Sequence, residues 1–267
     1  MRIVALLAVR NEEYYIERCL RHLYEQNIET CLIDNESTDR TLEIAREFTD
    51  RGVFRIESFA FSGIYKWIKI LEYKCRLAND IDADWFIHHD ADEIREAPKA
   101  LSLVAGIKDA DKKGYNAINS DEVVFTPVSE NETFEQKDYV KEMKYYYYFR
   151  PNLFHRVNIW KKSDTKIDLS SSGGHSVLFQ NRKIYPHNFI LRHYIFLSKK
   201  HAIKKYGERN YDPEELAIGM NVKRANFNPH QFEFPKKSLL KKVSSSAEWD
   251  LSDPWVEHYF LKPPAQS

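Results

Sequence analysis

Over the first 120 residues, continuous apolar runs alternate with stretches whose apolar residues recur every three or four positions. Ile3-Val4-Ala5-Leu6-Leu7-Ala8-Val9 is an unbroken apolar run, the pattern of a strand buried on both faces. Arg10-Asn11-Glu12-Glu13 ends it. Asn11 stands where a helix cap is expected, and the acids that follow suit a helix N-terminus. Ile16, Cys19, Leu20, Leu23 and Tyr24 then keep helical spacing. The same alternation predicts a strand over 30–34, a turn at 35–39 capped by Ser37 or Thr38, and a helix bearing Leu42, Ile44, Ala45 and Phe48. It continues with a strand over 53–57 and a helix over 64–77, where Trp67, Ile70, Leu71 and Lys74 share a face. A strand over 85–89, a helix from Pro98 to about Lys112 and a strand over 115–119 complete the series.

Alternating strands and helices predict a doubly wound, mostly parallel α/β sheet. After residue 120 the rhythm changes. Residues 122–128, 145–150 and 153–160 read as strands suited to antiparallel pairing, and 190–194 as a last short strand. Segment 131–138 reads as a polar loop, and Ser170-Ser171-Ser172-Gly173-Gly174-His175 as a flexible one. From Ser198 a basic helix runs to about Arg209, and 226–267 lacks apolar periodicity and reads as a surface wrap. The expected organisation is therefore a main domain over 1–198 and a helical and irregular extension over 199–267. No internal repeat is evident.

Composition narrows the function classes. Lys+Arg and Asp+Glu are 40 each in 267 residues, so no global charge argues for nucleic acid as partner. Apolar residues make up 43%, enough for a sizeable core. No apolar stretch is long enough for a membrane span, and no leader-type segment opens the chain. Cys19, Cys31 and Cys75 show neither metal spacing nor a disulfide framework, which suits reduced thiols in a cytoplasmic protein.

The chemistry concentrates at Trp85-Phe86-Ile87-His88-His89-Asp90-Ala91-Asp92-Glu93. Acids packed this closely repel one another unless a cation or a basic group offsets them. In extended chain, Asp90 and Asp92 point to the same side and can address one hard cation, Mn²⁺ or Mg²⁺. Ligands of such sheets sit beyond the C-terminal ends of the strands. Three polar clusters fall at three such ends: Arg10-Asn11-Glu12, Asp34-Asn35-Glu36-Ser37 and Asp90-Ala91-Asp92. His88 and His89, being adjacent on a strand, must face opposite ways.

Ala8-Val9-Arg10-Asn11-Glu12-Glu13, Ile33-Asp34-Asn35-Glu36-Ser37-Thr38-Asp39-Arg40-Thr41 and Asp90-Ala91-Asp92-Glu93, in this order, resemble the family 2 glycosyltransferases of GT-A fold, in a bacterial branch with a D-x-D motif. The likeness covers about the first half of the chain; farther on, only His193-Tyr194 with Ser198 and Lys205 echoes it. The resemblance implies a UDP- or GDP-sugar donor, a glycan or other hydroxyl acceptor, and Mn²⁺ or Mg²⁺ as cofactor. It implies a hexosyltransferase of inverting type, in cell-surface glycan synthesis, able to associate peripherally with a membrane. Val9, Arg10, Glu12, Asp34, Asn35, Ser37, Asp90 and Lys205 would contact the nucleotide-sugar. Lys204 and Arg192 are further cations that could face the leaving group. Asn35 stands where the family usually has a second Asp. Asp90, Asp92 and His193 would hold the metal, with His175 a rival to His193. Asp121, Glu122 or Glu93 would be the catalytic base; the family's Glu-Asp pair has no clear counterpart. Clustered carboxylates also serve metal-dependent phosphohydrolases and nucleotidyltransferases, and a non-catalytic nucleotide- or carbohydrate-binding protein could retain the fold.

Overall fold

The computed structural model describes residues 1–244 and 248–261. The chain has two compact units. The first takes in residues 1–62, 66–120 and 154–191; the second takes in 63–65, 121–153 and the chain from Arg192 onward. The expected parts, 1–198 and 199–267, do not coincide with these units. Residues 121–153 and 192–198 group with the C-terminal part, because strand Lys241–Lys242 pairs with strand Tyr145–Phe149 and one apolar cluster joins Val124, Tyr147, Ile195, Phe196, Phe232 and Phe260. Of the expected extension, 245–247 and 262–267 lie outside the described residues.

In the first unit, strands β1 (Ile3–Val9), β2 (Glu29–Asp34), β3 (Val53–Ser58) and β4 (Trp85–His89) alternate with helices α1 (Ile16–Glu25), α2 (Thr41–Arg46) and α3 (Trp67–Asp80). β1 pairs in parallel with β2 on one side and β4 on the other, and β2 with β3. Val9 lies opposite Asp34, and Leu7 opposite His89, so the C-terminal ends of three strands line one edge. Both faces of β1 are buried. Val4 and Leu6 pack in one apolar cluster with Cys31, Ile33, Phe86 and, from α3, Leu71 and Leu77. Ala5 and Leu7, on the opposite face, are equally inaccessible.

The chain then departs from the predicted pattern in an informative place. Glu93–Glu96 forms a strand, β5, that the apolar pattern did not predict. Three of its four residues are charged, so β-propensity gives no hint of it. Ala97-Pro98 does not open a long helix. Lys99 and Ala100 take left-handed φ of 60° and 54°, and helix α4 (Leu103–Lys112) begins after Ser102, whose hydroxyl accepts from the Ala105 N–H at 3.2 Å. β6 (Ala117–Phe125) is one strand where two were expected. Its Ala117–Asn119 part pairs antiparallel with β8, and its Glu122–Phe125 part with β7, once β7 (Tyr145–Phe149) and β8 (Val157–Lys161) have formed. β8 also pairs antiparallel with β4, and β9 (Phe189–His193) pairs with β5. The chain is thus α/β, with a mostly parallel core and added antiparallel strands.

The second unit is built on β7. Of its four tyrosines, Tyr146, Tyr147 and Tyr148 are buried, so the run is mainly packing. β10 (Lys241–Lys242) pairs with β7 antiparallel. Val124, Tyr147, Phe149, Ile195, Phe196, Tyr206, Phe232 and Phe260 form its apolar cluster.

Gly106 on α4 tests the packing of the first unit. A methyl group there would lie 2.8 Å from the Ala97 methyl and 2.8 Å from the Phe189 ring. In an open helix, Gly→Ala stabilises by about 1 kcal/mol. Here overpacking should reverse the sign and destabilise by about 1–3 kcal/mol. The urea midpoint of Gly106→Ala is expected below that of the parent chain.

Candidate active site

The three polar clusters follow the C-terminal ends of β1, β2 and β4 on one edge of the first unit, and hydrogen bonds tie the first two together. Asn11 is not the helix cap expected of it. Its φ is 56°, and its Oδ1 accepts the Thr38 N–H at 2.8 Å. The Asn11 N–H donates to Ser37 Oγ at 3.1 Å, and the Glu12 N–H to Thr41 Oγ1 at 2.7 Å. The loops after β1 and β2 are thereby laced together. Arg10 donates to the Asn35 and Glu36 carbonyls and lies 3.3 Å from the centre of the Phe61 ring. Val9 O accepts the Asn35 N–H at 2.9 Å, and the Asn35 amide donates to Phe59 O at 2.9 Å. Asp34 is buried and accepts the Ser37 N–H at 3.2 Å, closing its own turn.

The acidic cluster is held from beneath by two buried cations. Arg95 is 1% exposed. Its guanidinium donates to Glu93 Oε2 at 2.8 Å, to His89 Nδ1 at 3.1 Å, to His88 O at 3.2 Å and to Ser120 Oγ at 3.3 Å. Glu93 in turn accepts the Asp90 N–H at 3.2 Å. This network turns the chain sharply between β4 and β5. Removing one partner of such a buried pair costs about 3–5 kcal/mol, because the other charge stays buried.

Lys74, from α3, is fully buried. Its ammonium donates to His88 Nδ1 at 2.8 Å and to His89 O at 3.3 Å, and lies 3.8 Å from Asp90 Oδ1. Burial pulls its pKa from 10.5 down to about 8, against the opposing pull of Asp90 and Glu93. Burial, and then the charges of Lys74 and Arg95, hold His88 well below the ordinary histidine range, so it is a neutral acceptor. Gly174 makes room for it: at φ +88°, a Cβ there would sit 2.8 Å from His88 Nε2. Trp67 Nε1 donates to Gly173 O at 2.8 Å and fixes that glycine turn.

Asp90 and Asp92 differ in access. The Asp90 side chain is 32% exposed beside Lys74, whereas Asp92 is buried. Among the described residues, no group of three or more His, Cys, Asp and Glu side chains is arranged to hold a metal ion. Of the expected ligands, Asp90 and Asp92 belong to the first unit and His193 to the second. His193 Nδ1 lies 2.6 Å from Glu122 Oε1 in the second unit. His175, the rival, has its Nδ1 2.9 Å from the Arg156 guanidinium. As oxygen donors, Asp90 and Asp92 suit a hard cation in type, with further ligands drawn from phosphate and water.

The three expected base candidates differ too. Glu93 is 2% exposed and engaged by Arg95, and Glu122 is 1% exposed and engaged by His193. Asp121, between buried neighbours on β6, keeps partial exposure and accepts the Tyr148 hydroxyl at 2.7 Å. Lys205 Nζ donates to Ile195 O at 3.4 Å within the second unit. The guanidinium of Arg192 donates to Val140 O at 3.0 Å and lies over the Phe125, Tyr194 and Trp249 rings. Lys74 and Arg95 are the residues that sequence reasoning missed. Lys74 left a signal, a cation on the apolar stripe of α3, but Arg95 left none.

Residues 5–66 match the family model described as glycosyl transferase family 2. The match spans β1 to the approach to α3, the part of the chain that carries the laced loops. No curated protein matches the chain. Solved structures with distant similarity include S. aureus TarS 1–349 in complex with UDP-GlcNAc, at 12% identity and TM-score 0.47, over 73% of this chain and 59% of that one. The mannosyltransferase PcManGT from Pyrobaculum calidifontis, in complex with GDP-Man and Mn²⁺, is 20% identical at TM-score 0.35, over 45% of this chain and 35% of that one. Glucosyl-3-phosphoglycerate synthase from Mycobacterium tuberculosis is 21% identical at TM-score 0.32, over 45% of this chain and 43% of that one. Against TarS, this chain spans between 37% and 66% of the other's length.

The depressed Lys74 pKa has a measurable consequence. Unfolded, Lys74 holds its proton to near 10.5; folded, it releases it near 8. Between these values the unfolded chain binds more protons, so the contribution of Lys74 to stability rises with pH, by up to about 1.4 kcal/mol per pH unit. That gain is lost as pH falls through 8. The stability difference between the parent chain and Lys74→Met, from urea unfolding at stepped pH, is expected to grow across this window. A flat difference would show that folding does not lower the Lys74 pKa.

Proposed function

We propose that this protein is a GT-A-type glycosyltransferase that moves a sugar from a nucleoside-diphosphate donor to a hydroxyl acceptor. One observation carries the reading. The family match over 5–66 ends its strands on the same edge where Asp90-Ala91-Asp92 follows β4. Beyond the C-terminal ends of parallel strands is where such sheets take their ligands.

In this reading Val9, Arg10, Glu12, Asp34, Asn35 and Ser37 lie along the nucleotide. Arg10, flat against Phe61, offers a cationic edge, and the laced loops make the cradle rigid. Asp90 and Asp92 would hold Mn²⁺ or Mg²⁺ with the donor's diphosphate. Such a cation, when bound, neutralises charge that develops on the leaving phosphate. Lys74 supplies a fixed positive charge beneath the same loop, 3.8 Å from Asp90 Oδ1. His193 is paired with Glu122 as ligand histidines commonly are with a carboxylate, which supports keeping it among the proposed metal ligands.

The anomeric carbon loses its bond to the phosphate oxygen, which keeps the electron pair. The acceptor oxygen forms the new bond, and its proton passes to a carboxylate. Asp121 is the best supported of the three base candidates, since Glu93 and Glu122 are buried in pairs of their own. A base of this kind suits an inverting hexosyl transfer, and the proposed setting is cytoplasmic, in surface-glycan synthesis with peripheral contact to a membrane. No helix among the described residues is long and apolar enough to cross one.

Calorimetry with UDP and GDP, with and without Mn²⁺, tests the reading. Binding that requires the metal is expected for one nucleotide. Asp92→Asn should abolish that metal-dependent binding and slow nucleoside-diphosphate release from the matching sugar donor by about 10²–10³-fold. Absence of metal-dependent binding to both nucleotides would overturn the proposal.

A further inference from the structure

The second unit contains a cavity of about 880 Å³ that the donor chemistry does not use. Its size lies within the range of small-molecule sites, about 300–1,000 Å³. Partly exposed rings of Phe227, Phe234, Trp255 and Tyr259 line it, beside the exposed amides of Asn228 and Gln231. These rings are held in place. Trp255 stacks on the buried Tyr147 with centroids 4.4 Å apart, and its backbone N–H donates to Tyr148 O at 2.8 Å. The Tyr259 hydroxyl is paired with Thr126 Oγ1 at 3.0 Å, so the ring offers its face rather than its polar tip. Phe234 packs against the buried Phe232 at 5.0 Å. Asn228 Nδ2 donates to Gln231 Oε1 at 3.0 Å, which orients both amides.

The charge of the lining decides between ligand classes. Lys223 pairs with Glu257, which leaves the acid Glu233 as the remaining ionic group of the wall. A wall with no surplus cation does not recognise phosphate. An apolar ligand would find the rings but would desolvate the amide donors not used between Asn228 and Gln231, the Gln231 NH2 and the second Asn228 N–H. A neutral sugar satisfies both. The C–H face of a pyranose carries partial positive charge and meets the negative face of an aromatic ring. Its hydroxyls are donors and acceptors at once, as the side-chain amides are.

We propose that this cavity is a binding site for a neutral oligosaccharide, which stacks on Trp255 and Tyr259 and bonds through its hydroxyls to Asn228 and Gln231. Naming that oligosaccharide as the acceptor or product of sugar transfer rests on the function proposed above; binding itself does not.

The full chain should be titrated calorimetrically with chitohexaose, cellohexaose, maltohexaose and mannohexaose at up to millimolar concentration. At least one is expected to bind and to perturb tryptophan fluorescence. The double variant Asn228→Ala, Gln231→Ala alters only exposed side chains and should weaken that binding about tenfold or more, as the loss of two hydrogen bonds implies. Phe234→Ala should weaken it similarly, with folding of each variant checked by its thermal midpoint. No binding by any of the four sugars, or binding unchanged in both variants, would overturn the proposal. The same samples are titrated with UDP and GDP in Mn²⁺. Sugar binding without nucleotide binding would sink the transfer reading alone, and the reverse result would sink the pocket alone.

Discussion

Two buried cations under an acidic turn are the constraint on which the first unit depends. Between His89 and Ile94 the chain must reverse direction while carrying three carboxylates. Arg95 makes that possible by satisfying Glu93, His89 and a backbone carbonyl from one planar group. Lys74 adds a second positive charge from α3. Without them the acids would repel one another in a region of low dielectric, where the penalty is largest. With them, one acid is absorbed into the structure and another is left at the surface. The division of labour among Asp90, Asp92 and Glu93 follows from burial, since as side chains they are nearly the same.

The edge itself is an outcome of parallel pairing. β1 lies between β2 and β4, so the loop that follows each strand emerges on the same side. Hydrogen bonds from Asn11, Ser37, Thr38 and Thr41 then tie the first two loops into one rigid rim. Side chains that a sequence reader would reserve for ligand are partly used to build that rim. Asp34 closes its own turn, and Asn35 spans to Phe59. A rigid rim of this kind is preorganised, which suits a site that must hold a charged donor without rearranging.

Much of this was legible from sequence. The four parallel strands appear as apolar runs, because strands buried on both faces need no alternation. The strand-end clusters appear because doubly wound sheets place ligands there. The two-unit division was not legible, because residues 121–153 join the C-terminal part through β7–β10 pairing and a shared aromatic cluster that no local pattern announces. β5 was hidden by its own charges, and α4 began later than Pro98 suggested because Ser102 supplied the better cap.

What the sequence by itself determined was the alternation of strand and helix, the parallel core and the presence of acids at one strand end. These are local properties, set by side-chain periodicity over a few residues. The tertiary structure alone decided which acids are spent on cations and which face outward. It set His88 against Lys74 fourteen positions earlier in the chain, and placed Gly174 where a methyl group would strike that histidine. It also gathered aromatic rings from two stretches, 227–234 and 255–260, around one cavity. The reason is physical: burial and charge compensation act through space, between residues that folding brings together from distant parts of the chain.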